Sequence, residues 1–407
     1  MRHTPSHSRR RFLYSAGLLA AGAALPQALF ANTGGSGRMV VVVLRGALDG
    51  LAAVPPFGDR DYGELRRELA VAAPGTTDGA LALDATFGLH PSLAFLHERY
   101  LGGELAVIHA VASPYRDRSH FDGQNVLENG LALPLGTADG WLNRALASLP
   151  VRTAGHPERA VAVSQNVPLI LRGPVQVLSK SPITEPEADA DLLERLADLY
   201  SKDEWFSARL SEAVQSDRMT ADAGSETTML GAKQAADRVG GVARMAATLM
   251  RTDGGPEVAV IEATGWDTHA NQGSAKGVLA QRLGSLDGAL RQLADGLGPL
   301  WEQTVVLIVT EFGRTAAING TRGTDHGTGG CAFLVGGAVR GGHIVTDWPG
   351  LGRSALLEGR DLRPTTDLRS VFKAVLGDHM RVDSASLAAH VFPNSSGARP
   401  LQGLIRA

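Results

Sequence analysis

Four stretches of this sequence gather acids, histidines and arginines beside glycine. They are Arg45-Gly-Ala-Leu-Asp49-Gly50, Arg118-Ser119-His120 with its flanks, Gly265-Trp-Asp267-Thr-His269, and Glu311-Phe-Gly-Arg314 followed by Gly323-Thr-Asp325-His326-Gly327. Carboxylate oxygen and imidazole nitrogen are the donors of Zn-type sites, and a mixed set also suits Mn or Mg. Asp267 and His269 are two residues apart, so an extended backbone projects both from one face. A hydrogen-bonded Asp–His pair capping the next helix explains that spacing equally well. Asp325-His326 is the stronger signal, because a buried loop acid without a cation is costly. Glu311 is the first residue past an apolar run, where it serves either a metal or an ion pair with Arg314. Asp49 precedes Gly50, a pair that also makes ordinary turns.

Arg118-Ser119-His120 places a guanidinium for anions, a hydroxyl nucleophile and a proton-transferring imidazole in consecutive positions. If Ser119 opens a helix over Phe121–Asn129, backbone N–H groups there would stabilise an oxyanion or phosphate. The competing reading makes Ser119 a plain N-cap, with Asp122 completing a short capping box. Arg314 is a second candidate for holding anionic oxygens. The remaining histidines, including His90, His109 and His379, are isolated and carry no expected role.

Each of these stretches follows an apolar, largely β-branched run. The candidate strands are Met39–Leu44, Leu105–Val111, Ala160–Val163, Val258–Glu262, Thr304–Thr310 and Cys331–Gly336. Several lack polar alternation, as strands buried on both faces do. Between them lie helical patterns, the clearest carrying Leu279, Leu283, Leu286, Leu290, Leu293 and Leu297 at alternating steps of four and three. Alternating strands and helices predict an α/β fold, a mainly parallel central sheet with helices over it. Ligands in such sheets bind beyond the carboxyl ends of the strands, where all four clusters fall. Residues of about 185–250 read as a helical insertion covering those ends, with no comparable strand between Val163 and Val258.

The motifs Arg45-Gly-Ala-Leu-Asp49-Gly, Leu89-His-Pro91, Arg118-Ser-His-Phe-Asp122, Gly140-Trp-Leu142, Trp266-Asp-Thr-His-Ala-Asn271, Thr310-Glu-Phe-Gly-Arg314 and Gly323-Thr-Asp-His-Gly327 occur in that order. The set resembles the bacterial family catalogued as domain of unknown function 1501, over nearly the whole chain after the leader. That family looks like a remote branch of the alkaline phosphatase and sulfatase superfamily. The resemblance implies a three-layer α/β/α sandwich with a strand-end dimetal site. It further implies metal-ligand roles for Asp49, Asp267, His269 and His326, and a nucleophile at Ser119. The chain departs from the pattern at Ala52, at Glu311 and in the short Asp267–His269 spacing.

Arg9-Arg10-Arg11-Phe12-Leu13 precedes the small apolar run Ser15–Leu25 and a small-residue exit near Ala31. That is the layout of a twin-arginine signal peptide over residues 1–31, whose apolar run is too short to span a bilayer. The remaining 32–407 read as one domain that uses the twin-arginine translocation machinery to reach the periplasm or exterior. Arg2, Arg9, Arg10 and Arg11 account for four of the 39 basic residues, leaving 35 against 42 acidic ones, a net charge of −7. An acidic balance argues against nucleic acid as a partner. Cys331 is the only cysteine, so no internal disulfide forms. Together these features predict an exported, metal-dependent hydrolase of phosphate or sulfate esters. The alternative is a non-catalytic, metal-stabilised binding or assembly protein with a periplasmic partner.

Overall fold

A computed structural model describes residues 37–150, 158–181 and 238–406. Eleven strands occur among them: β1 (Arg38–Arg45), β2 (Leu81–Ala82), β3 (Gly88–Leu89), β4 (Leu105–Ala112), β5 (Ala160–Ala162), β6 (Leu178–Ser179), β7 (Val258–Thr264), β8 (Thr304–Thr310), β9 (Gly330–Val335), β10 (His343–Val345) and β11 (Thr366–Asp367). Nine of them form one sheet in the order β10-β4-β9-β8-β1-β7-β5-β6, with β11 also on β4. All six expected strands are present. The short β6 is an addition in a stretch that looked strandless.

Every pairing in that sheet is parallel except those of β9, which runs antiparallel to both β4 and β8. The carboxyl ends of β1, β4, β7 and β8 therefore share one edge, and the amino end of the reversed β9 joins them. Consequently the whole connection 311–329 returns over the edge it left, which is how His326 reaches the other clusters.

The side chains of β1 alternate between two cores. Val40, Val42 and Leu44 face one, while Met39, Val41 and Val43 face the other. Helices α1 (Ala94–Leu101), α4 (Arg238–Arg251) and α5 (Val278–Leu297) contribute to the first core. Helices α2 (His120–Asn129), α3 (Trp141–Ala147) and α6 (Leu368–Ala374) contribute to the second. The six leucines of the predicted stripe all lie on α5 and all are buried. The expected insertion over 185–250 divides here: residues 182–237 lie outside the described residues, and α4 belongs to a core layer. Its Ala243, Ala246, Leu249 and Met250 are buried in the first core, so apolar burial, not cover of the strand ends, accounts for that helix. No described helix is long and apolar enough to cross a membrane.

Candidate metal centre

Glu311 follows β8 and is fully buried. Its Oε1 accepts from the Gly46 backbone N–H at 2.8 Å, from His120 Nδ1 at 2.8 Å and from Gln124 Nε2 at 3.3 Å. Its Oε2 accepts from the Thr310 hydroxyl at 2.9 Å. Burial pushes this carboxyl upward, but the hydrogen bonds from His120, Gly46 and Thr310 outweigh it and hold it below its ordinary range. Glycine is required at 46 on two counts. Its φ is +118°, and a Cβ there would stand 2.7 Å from the Asp267 backbone nitrogen. Gly46 thereby lets the ends of β1, β7 and β8 close on one another.

Three imidazoles meet above this edge, and each is held through Nδ1 by an oxygen that can only accept. His120 Nδ1 lies 2.8 Å from Glu311 Oε1, His269 Nδ1 lies 3.1 Å from Asp325 Oδ1, and His326 Nδ1 lies 2.9 Å from the Arg118 carbonyl. Asp325 is kept ionised by the Asn319 side-chain amide and by His269, against the opposing effect of burial. Each Nδ1 must therefore carry the hydrogen, and a ring in its neutral form then presents a lone pair at Nε2. Those lone pairs converge. His269 Nε2 is 3.0 Å from His326 Nε2 and 3.0 Å from Asp267 Oδ1. His326 Nε2 is 3.4 Å from Asp267 Oδ1, and His120 Nε2 is 3.4 Å from Asp267 Oδ2.

Lone pairs and a carboxylate facing one another repel unless a proton or a cation lies among them. His120 Nε2 is buried and makes no hydrogen bond. Its donor atom and those of Asp267 and His326 all lie within 4.8 Å of one another. Zn–N and Zn–O distances of about 2.0–2.2 Å put donors at this separation within small side-chain adjustments of one shared ion. The residues present thus fit a divalent cation.

Arg314, also buried, donates to Asp267 Oδ1 at 2.5 Å and to Thr324 through Nε at 3.2 Å and through Nη2. Burial would raise the Asp267 pKa, but Arg314, His269 and His120 lower it on balance. His120 is raised, first by its Glu311 hydrogen bond, while His326 is lowered, first by burial. Phe312 stacks on His120 at 5.1 Å between centroids and makes an apolar wall beneath the rings.

The structure brings together Asp267, His269, Glu311, Asp325 and His326, and adds His120. It divides them differently from the expectation. Glu311 and Asp325 stand behind histidines as orienting acceptors, and His120, expected beside a nucleophile, is itself a candidate ligand. Asp49 is elsewhere: fully buried, it pairs with Arg66 through Oδ1, accepts from Gln272 Nε2 at 2.7 Å through Oδ2, and caps Gly50–Ala53. The Arg66 guanidinium balances its charge. Arg118 is not free to hold an anion, because Asp361 and Glu358 take its guanidinium at 2.9 and 2.7 Å. Arg314 is committed to Asp267 and Thr324, so the alternative Arg314–Glu311 pair is also not what forms. Ser119 opens α2 with an extended backbone, and its hydroxyl makes no capping hydrogen bond. No local pattern in the sequence marks Arg66, Gln272 or Asp361. Arg66 sits in the charged run Glu64-Leu-Arg-Arg-Glu68, which reads locally as a solvated helix face.

An α/β sheet with a His–Asp cluster at its carboxyl edge is the class these observations define. The chain belongs to the DUF1501 family, described as a protein of unknown function, whose profile matches residues 36–392. No curated protein matches it.

Proposed function

We propose that this protein is an exported metal-dependent hydrolase in which His120, Asp267 and His326, with His269 beside them, hold one divalent cation. The observation that carries the reading is the convergence of three Nε2 lone pairs on a carboxylate, each imidazole locked by an acceptor at Nδ1. Three nitrogen donors favour Zn²⁺ over Mg²⁺, which prefers oxygen, with Mn²⁺ between the two. One cation, not two, suits the donor set, since Asp49 is satisfied by Arg66 and Gln272. When bound, the ion supplies Lewis-acid polarisation of an ester and of the attacking hydroxyl group. The chain's own residues do the rest. Glu311, Asp325 and the Arg118 carbonyl orient the rings, Arg314 keeps Asp267 ionised, and Phe312 limits water beside His120. Ser119 adjoins His120 with an uncapped hydroxyl, which suits a nucleophile. The twin-arginine layout supports export to the periplasm, and the resemblance to the alkaline phosphatase and sulfatase superfamily supports phosphate or sulfate esters.

A second reading, a metal-stabilised binding or assembly protein, is favoured by one observation. Arg118 and Arg314, the expected anion holders, are both engaged by carboxylates. Metal analysis of protein purified from periplasm, followed by phosphate and sulfate ester panels, separates the readings. The hydrolase reading expects about one Zn or Mn per chain and turnover that Ser119→Ala removes while the metal stays. Metal without turnover on any ester leaves the binding protein. Protein that takes up no Zn or Mn sinks both.

A further inference from the structure

We infer that Asp361 is a positioning residue for the metal centre, acting on His326 through the backbone of Arg118. This rests on the metal-centre reading above and deepens it. His326 presents Nε2 because its Nδ1 donates to the Arg118 carbonyl at 2.9 Å. Unlike Glu311, that acceptor is a main-chain oxygen on a loop, so something must hold it. Arg118 has φ +61°, a left-handed conformation that L side chains disfavour. It persists because the surroundings over-determine it.

The determinant is Asp361, a carboxylate with no solvent exposure. Its Oδ2 accepts from Arg118 Nε at 2.9 Å and from the Thr328 hydroxyl at 2.9 Å, and its Oδ1 accepts from Arg360 at 2.9 Å. Thr328 lies two residues beyond His326, so one carboxylate fixes both the imidazole's acceptor and the loop that carries the imidazole. The Asp361 backbone pairs with Thr315, the neighbour of Arg314, which holds Asp267. Asp361 therefore spans both protein sides of the cluster without touching it. The other Arg118 partner, Glu358, is 64% exposed at its side chain and contributes little.

The test uses the full chain and two readouts. The first is the imidazole nitrogen spectrum of the metal-free protein, which reports which ring nitrogen of His326 carries hydrogen. The second is titration with Co²⁺, followed by its visible bands. Wild type is expected to show His326 protonated at Nδ1. Asp361→Asn should give mixed tautomers, about 10–100-fold weaker Co²⁺ binding, as loss of an orienting partner typically does, and altered bands. Arg118→Gly keeps the carbonyl and removes the φ strain, so it should fold even if Asp361→Asn does not, yet show the same two changes. Glu358→Ala should leave both readouts as in wild type. An unchanged His326 tautomer in Arg118→Gly and in any folded Asp361→Asn overturns the role of Asp361. A changed tautomer in a protein whose wild type takes up no Co²⁺ supports the positioning role and overturns only the metal reading.

Discussion

An imidazole becomes a directed donor only when its other nitrogen is held, and here the holders differ in kind: a buried carboxylate, a half-exposed carboxylate and a main-chain carbonyl. Glu311 is the most enclosed of the three. Glu311→Gln preserves its shape but weakens the grip on His120, so metal affinity should fall about 10–100-fold, measured by competition with a chelator. Asp49 makes the opposite case. Because Arg66 and Gln272 already saturate it, Asp49→Asn should leave metal content unchanged, and loss of metal would show that it is a ligand after all. Its energetic role is the pair with Arg66. Arg66→Met strands a buried carboxylate and should cost about 3–5 kcal/mol in denaturant unfolding. The double variant with Asp49→Asn should recover much of that loss, since no unpaired charge remains.

At the scale of elements, one helix and one reversed strand matter most. Helix α5 packs into the first core by its leucine stripe, alongside α4, and Leu290 is 2% exposed. Leu290→Ala should cost about 2–5 kcal/mol with metal affinity preserved, because the cavity opens in the core and not at the strand ends. Strand and helix identity were legible because periodicity is local. The six candidate strands and the leucine helix needed only their own residues to be recognised. The reversal of β9 was not legible, since an apolar run looks the same in either direction. That reversal returns the 311–329 connection to the carboxyl edge. Gly323 permits the return, because a Cβ there would stand 2.3 Å from the His269 carbonyl oxygen.

For the whole molecule, a bound cation adds to folding stability by mass action. Metal in 100-fold excess over its Kd should stabilise the protein by about 2.7 kcal/mol, and chelation should lower the thermal midpoint accordingly. Acid acts through a different group. His109, on β4, is buried, donates to the Val54 carbonyl at Nε2, accepts from the Ala110 N–H at Nδ1, and has its pKa pushed down to about 4, first by burial. The unfolded chain protonates this residue near its ordinary value while the folded chain does not. Its contribution is therefore present above about pH 6.5 and lost as pH falls toward 4. The difference amounts to about 3 kcal/mol. Denaturation at pH 7 and pH 4.5 should show His109→Gln with a shallower loss than wild type, and equal slopes would refute the assignment.

Sequence by itself determined that donors would gather at strand ends. Covalent order places each motif directly after an apolar run, and a parallel sheet aligns the ends of such runs. The presence of a single cysteine was likewise fixed by composition. Tertiary structure alone decided which donors face one another. Asp49 and Asp267 each follow a strand in similar company, yet Arg66, 17 residues further on, captures one while three imidazoles surround the other. Glu311 and Asp325 are as able to bind metal as any carboxylate, but His120 and His269 lie between them and the centre. Charge pairing and hydrogen-bond direction act through space between residues far apart in the chain, so no local pattern carries them.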